Sequence, residues 1–315
     1  MSCRALALFL VLGLMVLSPF FAAPALAAGA HASWNPLLER LKQDGVTGKD
    51  IDAWFTELEP YSQRPMGLKV RSLFRNRFMP APFAFLKKPP KPGTKAKPRY
   101  LDVMSAESIR KSAEFIQAHK ELFEFAELEY QVEKETIVAL FMTETRLGEY
   151  IGNERALWNL ASMAASIKPE QLDEYLGPLP VNTEERRAWA RKTVQARSDW
   201  AYKELLALID YCRKNGHDPL TITGSPFGAI GLCQFMPSNI PAYAVDGDKD
   251  GRIDLFNLDD AVCSIANYLK KHGWKNSLGK EARRKVIYRY NHSYVYADTV
   301  LAIADGVKAM NKSKK

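Results

Sequence analysis

The alternation of apolar and polar positions along this chain has a helical period almost everywhere. Between about 34 and 78, Trp34, Leu37 and Leu38, then Ile51, Trp54 and Phe55, recur at spacings that predict helices. From Ser105 the pattern resumes with Ile109, Phe115, Ile116, Leu122, Phe123 and Leu128, an apolar stripe of imperfect regularity. Further helices are predicted over 134–147, near 200–214, near 259–272 with a stop at Gly273, and over 294–310. Strand-like alternation is almost absent and no internal repeat is visible, so the fold class is mainly α.

Three stretches break the pattern. Residues 1–27 read as a secretory signal: Arg4, an apolar run from Ala5 to Phe21, and Ala25-Leu26-Ala27 as a cleavage signature. The competing reading is an uncleaved membrane anchor, for which the run is marginal in length. Residues 81–99 fall in a stretch of prolines and lysines and read as an extended basic connector between a helical lobe, 28–80, and a larger domain, 100–315. Residues 169–200 are rich in Glu and Arg, hold Gly177, Pro178 and Pro180, and read as an insertion.

The net charge of +8 suits an anionic polymer. Export sets nucleic acid aside and leaves cell wall or lipid headgroups. Past the signal, the cysteines are Cys212, Cys233 and Cys263, an odd set at irregular spacing that reads as buried thiols, not a disulfide framework.

Four segments carry candidate chemistry. Glu144 follows Ile137 by seven, Leu140 by four and Phe141 by three, which places a carboxylate on an apolar helix face. Such a group is either paired, with Arg146 or Arg155 as candidates, or pushed to a high pKa. A carboxylic acid kept protonated near neutral pH can donate a proton to a leaving sugar oxygen. Gly224 to Ser238 is a glycine-containing loop without the Lys of a phosphate loop, in which Gln234 could orient a polar ligand or be an ordinary buried amide. Asp246, Asp248 and Asp250, with Gly251 and Ile253, match an EF-hand loop, although Asn257 stands where a bidentate Glu is expected. Without an ion the stretch would be a solvated acidic turn. Finally, Arg289 to Ala297 packs Tyr290, Tyr294 and Tyr296 around Asn291 and His292, a platform for sugar rings or simply core tyrosines.

Taken together, these segments resemble the lytic murein transglycosylases of the membrane-bound B type, including their soluble periplasmic forms. The resemblance rests on Glu144-Thr145-Arg146-Leu147-Gly148, Gly224-Ser225 through Gly231, Gln234 to Ser238, the Asp-rich loop, Ala266-Asn267-Tyr268, His272-Gly273-Trp274, and Tyr290 to Ala297. It implies a lysozyme-like core of the goose-type and soluble-transglycosylase kind, an added α-helical lobe and an EF-hand-like loop. It implies Glu144 as the single acid/base, cutting between N-acetylmuramic acid and N-acetylglucosamine and leaving 1,6-anhydro ends. Tyr100, Arg197, Ser225, Gln234, Tyr268, Tyr290, Asn291 and Tyr296 would line the saccharide groove. A structural Ca2+ or Na+ would be held by Asp246, Asp248, Asp250, the Arg252 carbonyl and Asp260, and no organic cofactor is implied. The expected partner is the peptidoglycan glycan strand, met by a monomer in a Gram-negative-type periplasm, with membrane contact only through an uncleaved signal.

Cys233 departs from the small residue usual beside the Gln, and the segment from Trp274 to Tyr290 is short. Two alternatives stay open. A lysozyme-type hydrolase would need a second acid near Glu144, with Glu149, Glu154 and Asp199 as candidates. A non-catalytic peptidoglycan-binding protein would have no need of Glu144 on an apolar face.

Overall fold

The computed structural model describes residues 25–79, 103–166, 172–176, 179–181 and 183–312. The signal segment before Ala25, the connector and Tyr100 lie outside the described residues. Helices α1 (Ala25–Gln43), α2 (Lys49–Glu57) and α3 (Arg64–Phe78) form the N-terminal lobe. The larger part contains α4 (Ala106–Ala118), α5 (Lys120–Tyr130), α6 (Lys134–Thr145), α7 (Ala156–Ala165), α8 (Asp173–Leu176), α9 (Glu184–Asn215), α10 (Ile240–Tyr243), α11 (Leu258–Lys271), α12 (Lys280–Tyr290) and α13 (Tyr294–Lys312). The mainly α expectation holds. Among the described residues the strands are β1 (Glu154–Arg155) and β2 (Thr223–Gly224), an antiparallel pair that aligns Glu154 with Gly224. Among them, too, no helix is long and apolar enough to cross a membrane.

Helix α6 is the axis of the molecule. Every residue from Thr136 to Met142 is buried, because α4, α5, α11 and α13 pack around it. A helix enclosed on all sides is apolar on all sides, so α6 lacks the single stripe expected of a surface helix. The N-terminal lobe packs through α1 and α3 onto α7, and through α3 onto α8 and α9. One apolar core, from Trp34 and Phe74 to Val307, runs through both parts.

Helix α9 corrects one boundary. The helix expected near 200–214 begins at Glu184, so residues 184–200 are its first half. Thr183 caps it by accepting from the Arg186 amide at 3.3 Å, two glutamates fill the first turn, and Gly216 ends it in the left-handed region. Its buried stripe is Ala190, Val194, Ser198, Ala201 and Leu205, small and partly polar residues that an apolar pattern does not flag. Helix α12 was also not anticipated: five cations in Lys280–Tyr290 hide a buried edge of Val286 and Ile287.

Candidate active site

Helix α6 ends abruptly one residue past Glu144. Arg146, Leu147 and Gly148 follow at φ 54°, 62° and 90°, three successive left-handed residues. Two of the three carry side chains, a cost the fold sustains at this turn. Thr145 fixes it: its hydroxyl donates to the Leu232 carbonyl at 3.1 Å and accepts from the Gly148 amide at 3.2 Å. The glycine-containing loop is thereby tied to the end of α6. Gly231 turns that loop at φ 74°, where a Cβ would lie 2.5 Å from Leu255 Cβ.

Glu144 is densely surrounded, though the residue keeps some access to solvent. Burial lifts its carboxyl from the usual range to about 7, against the opposing hydrogen bond that Tyr296 donates to Oε1. Its place in the last turn of α6, at the negative end of the helix dipole, acts in the same direction as burial. Neither arginine considered above pairs with it, and Arg155 instead bridges to Glu59 at 3.2 Å. The three acids a hydrolase could recruit are also engaged elsewhere: Glu149 with Lys111, Glu154 with Arg64, and Asp199 with Arg40.

Around Glu144 the loop, α11 and the last two helices bring together Gln234, Tyr268, Tyr290 and Tyr296 of the expected residues. Tyr290 donates to the Cys233 carbonyl at 2.5 Å, and burial, then the neighbouring Cys233 and Glu144, hold its phenol well above the ordinary range. Tyr268 donates to the Arg289 carbonyl at 2.8 Å, and its ring lies among Phe235, Tyr243, His272 and Tyr290. Gln234, at φ 50°, donates to the Ile151 and Gly231 carbonyls at 3.0 and 2.9 Å. Its amide thus pins the loop to the segment after α6. Ser225 Oγ accepts from the amides of Phe227 and Ala229, shaping the turn at the other end of the loop. Asn291 is exposed at the end of α12. Arg197 lies further along α9, over the Trp200 ring at 5.9 Å. Cys212, Cys233 and Cys263 are free and buried, and burial pushes each thiol to about 12.

Thr145 stands in the Glu144–Gly148 segment that carries the resemblance, but sequence reasoning gave it no role, because a buried threonine has no signature apart from its partner. Tyr243 went unremarked, and His272, quoted for the resemblance, was given no role; their ring contacts with Tyr268 join α10 to the end of α11.

The acidic loop is a separate feature. Carboxylate oxygens of Asp246, Asp248 and Asp260 converge within 4.8 Å of one another. Asp250 lies outside that trio, its Oδ1 accepting from the Arg252 amide at 2.8 Å. Asp260 accepts from the Gly247 and Asp254 amides, both at 2.6 Å, and closes the loop. Asn257 caps α11 by accepting from the Asp259 and Asp260 amides, and donates to Asp248 at 2.8 Å. The residue at position 12 is therefore a helix cap, which explains the missing Glu. A trio of hard oxygen donors fits Ca2+ or Na+.

Residues 29–284 match the transglycosylase SLT domain family. The membrane-bound lytic murein transglycosylase B of Escherichia coli K12 is 34% identical over 145 residues, which are 46% of this chain. The match spans about a third of that relative's own length, 33%. Among solved structures, the soluble lytic transglycosylase SltB1 of Pseudomonas aeruginosa has a TM-score of 0.63 at 22% identity, covering 89% of this chain and 99% of that one. The Escherichia coli lytic transglycosylase Slt35 in complex with calcium has a TM-score of 0.59 at 20% identity, covering 94% and 96%.

Proposed function

The chain belongs to the transglycosylase SLT domain family, and on that premise we propose that it cuts peptidoglycan glycan strands with Glu144 as its acid/base. The observation that carries this reading is a carboxyl lifted to about 7 with the Tyr296 phenol donating to it. Protonated, Glu144 gives its proton to the oxygen between N-acetylmuramic acid and N-acetylglucosamine. Ionised, it takes the proton of the muramoyl 6-hydroxyl, which attacks the anomeric carbon within the same sugar. The bond to the leaving sugar breaks, a 1,6-anhydro ring forms, and no water is consumed. An attack within one ring has an effective concentration on the order of 10⁵ M or more when well oriented, so no second carboxylate is required. The engagement of Glu149, Glu154 and Asp199 with cations elsewhere supports this over hydrolysis.

Tyr296 holds the Glu144 carboxyl in place and tempers its pKa. Ser225, Gln234, Tyr268, Tyr290 and Asn291 would form the groove around it, with Arg197 further along α9. Asp246, Asp248 and Asp260, with Asp250 and the Arg252 carbonyl, would hold Ca2+ or Na+ as a structural staple. The substrate places the enzyme in the periplasm, reached through the signal segment, and the groove as built needs one copy of the chain.

The test is mass spectrometry of muropeptides released from purified peptidoglycan. The wild type is expected to release products lighter by one water, with 1,6-anhydro ends, and Glu144→Gln none. Reducing ends would make the enzyme a hydrolase. No release by the wild type would leave a binding protein.

A further inference from the structure

The seam between the N-terminal lobe and α9 gathers cations around aromatic rings, and among the described residues neither Lys69 nor Arg197 forms an ion pair with an acid. The Lys69 ammonium of α3 lies 4.3 Å from the centre of the Phe227 ring and 5.7 Å from that of Trp200. Arg197 approaches the same Trp200 ring at 5.9 Å, so two cations share one indole. Burial lowers the Lys69 pKa, and the Arg197 charge adds to the effect. Of the acids of α9, Asp199 is engaged by Arg40 and Gln195 and Glu184 by Arg187 and Arg191, while Glu185 stands exposed in the first turn. Beyond Arg197 the seam opens into a trough of about 1030 Å³ lined by Arg77, Trp189 and Lys192, with no acid among its described lining residues. Holding like charges together in a half-buried, apolar setting costs free energy until an anion arrives.

The position of the seam indicates which anion. Phe227 belongs to the turn that Ser225 shapes, so the cations continue one wall of the proposed groove. We propose that this seam takes the carboxylates of the peptide stem carried by the muramoyl sugars, with Lys69 setting the preference for stem-bearing strands. The inference rests on the enzyme reading above. A stem is tethered to the sugar already in the groove, so its carboxylates arrive at high effective concentration, whereas a separate phosphate polymer gains nothing from the glycan. It also gives the N-terminal lobe a part in the reaction, since α3 supplies Lys69 and Arg77.

The test compares cleavage of the same soluble glycan strands with their stems and after an amidase has stripped them. The wild type is expected to show a KM about ten-fold lower on stem-bearing strands, the yield of one charge-assisted contact. Lys69→Met keeps the packing on Phe227 and should bring the ratio close to one through KM. Lys69→Arg should restore it, which a purely structural role would not predict. A wild-type ratio near one, or a ratio unchanged in Lys69→Met, overturns the proposal. Co-sedimentation with intact and stripped sacculi gives a readout that needs no turnover. There Lys69→Met should bind intact sacculi about ten-fold more weakly than the wild type, and stripping should abolish the difference. Equal binding by the two proteins overturns the inference, as would binding that follows added phosphate polymer instead of stems. Absence of cleavage from either strand preparation would sink the enzyme reading alone, leaving sedimentation to decide the stem site.

Discussion

Glu144 and Asp260 are both acidic side chains drawn into the interior, and the fold treats them in opposite ways. Asp260 is 1% exposed, and its two oxygens accept from two backbone amides across a loop it closes. Its neighbours are other carboxylates in a cluster suited to a cation. Among the described residues, Glu144 receives one phenol and faces neither an arginine nor a nest of amides. Burial raises both carboxyls, but at Asp260 backbone amides of Asp254 and Gly247 pull the other way and organise the loop, whereas at Glu144 the one opposing bond comes from Tyr296. The difference separates a staple from an acid.

The largest expected effect comes from removing the acid. Glu144→Gln should lower glycan cleavage by about 10²–10⁴-fold while binding to sacculi persists, measured by muropeptide release and co-sedimentation. Loss of binding together with cleavage would break the comparison, since Glu144 would then be holding the site together.

Removing the staple should act on stability instead. Asp260→Ala leaves two partly buried amides without their acceptor and should cost roughly 1–3 kcal/mol, read by denaturant unfolding. An effect below about 1 kcal/mol would mean the loop closes without it.

Glu144 should also mark the pH dependence of stability. Its folded pKa of about 7 lies above the ordinary 4.5, so between those values the native state binds more protons than the unfolded one. Its contribution is greatest below pH 4.5 and is lost as pH rises through 7. Glu144→Gln should therefore be more stable than the wild type at pH 8, by roughly 1–3 kcal/mol, and the gap should close at pH 4.5. A gap that does not depend on pH would remove the evidence for a perturbed carboxyl.

The smallest effect expected is from the ion. Millimolar Ca2+ should raise the thermal midpoint by about 3 °C or more in the wild type. Asp248→Asn should weaken the response, and an equal shift in both proteins would place the ion elsewhere.

Much of this was legible in the sequence, for identifiable reasons. The helices around Trp34, Ile137 and Ile265 show because apolar residues recur on them, and the groove residues show because they resemble a family as a set. The first half of α9 and all of α12 do not show, because their buried faces are narrow and mostly small or flanked by charge. Asn257 looked like a damaged metal ligand only because its capping role depends on where α11 begins. The partner of Glu144 could not be chosen from spacing. Tyr296 lies 152 residues away, and Arg146 and Arg155 were nearer in sequence.

The account turns on the protonation state of one side chain, which carbon-13 NMR can follow directly. With glutamate carboxyls labelled, the resonance missing from Glu144→Gln identifies Glu144, and its shift is then traced from pH 3 to 9. A midpoint near 7, moving upward in Tyr296→Phe because a hydrogen bond favouring the charged form is gone, is the expected result. A midpoint near the ordinary 4.5, unmoved by loss of Tyr296, would contradict the central claim.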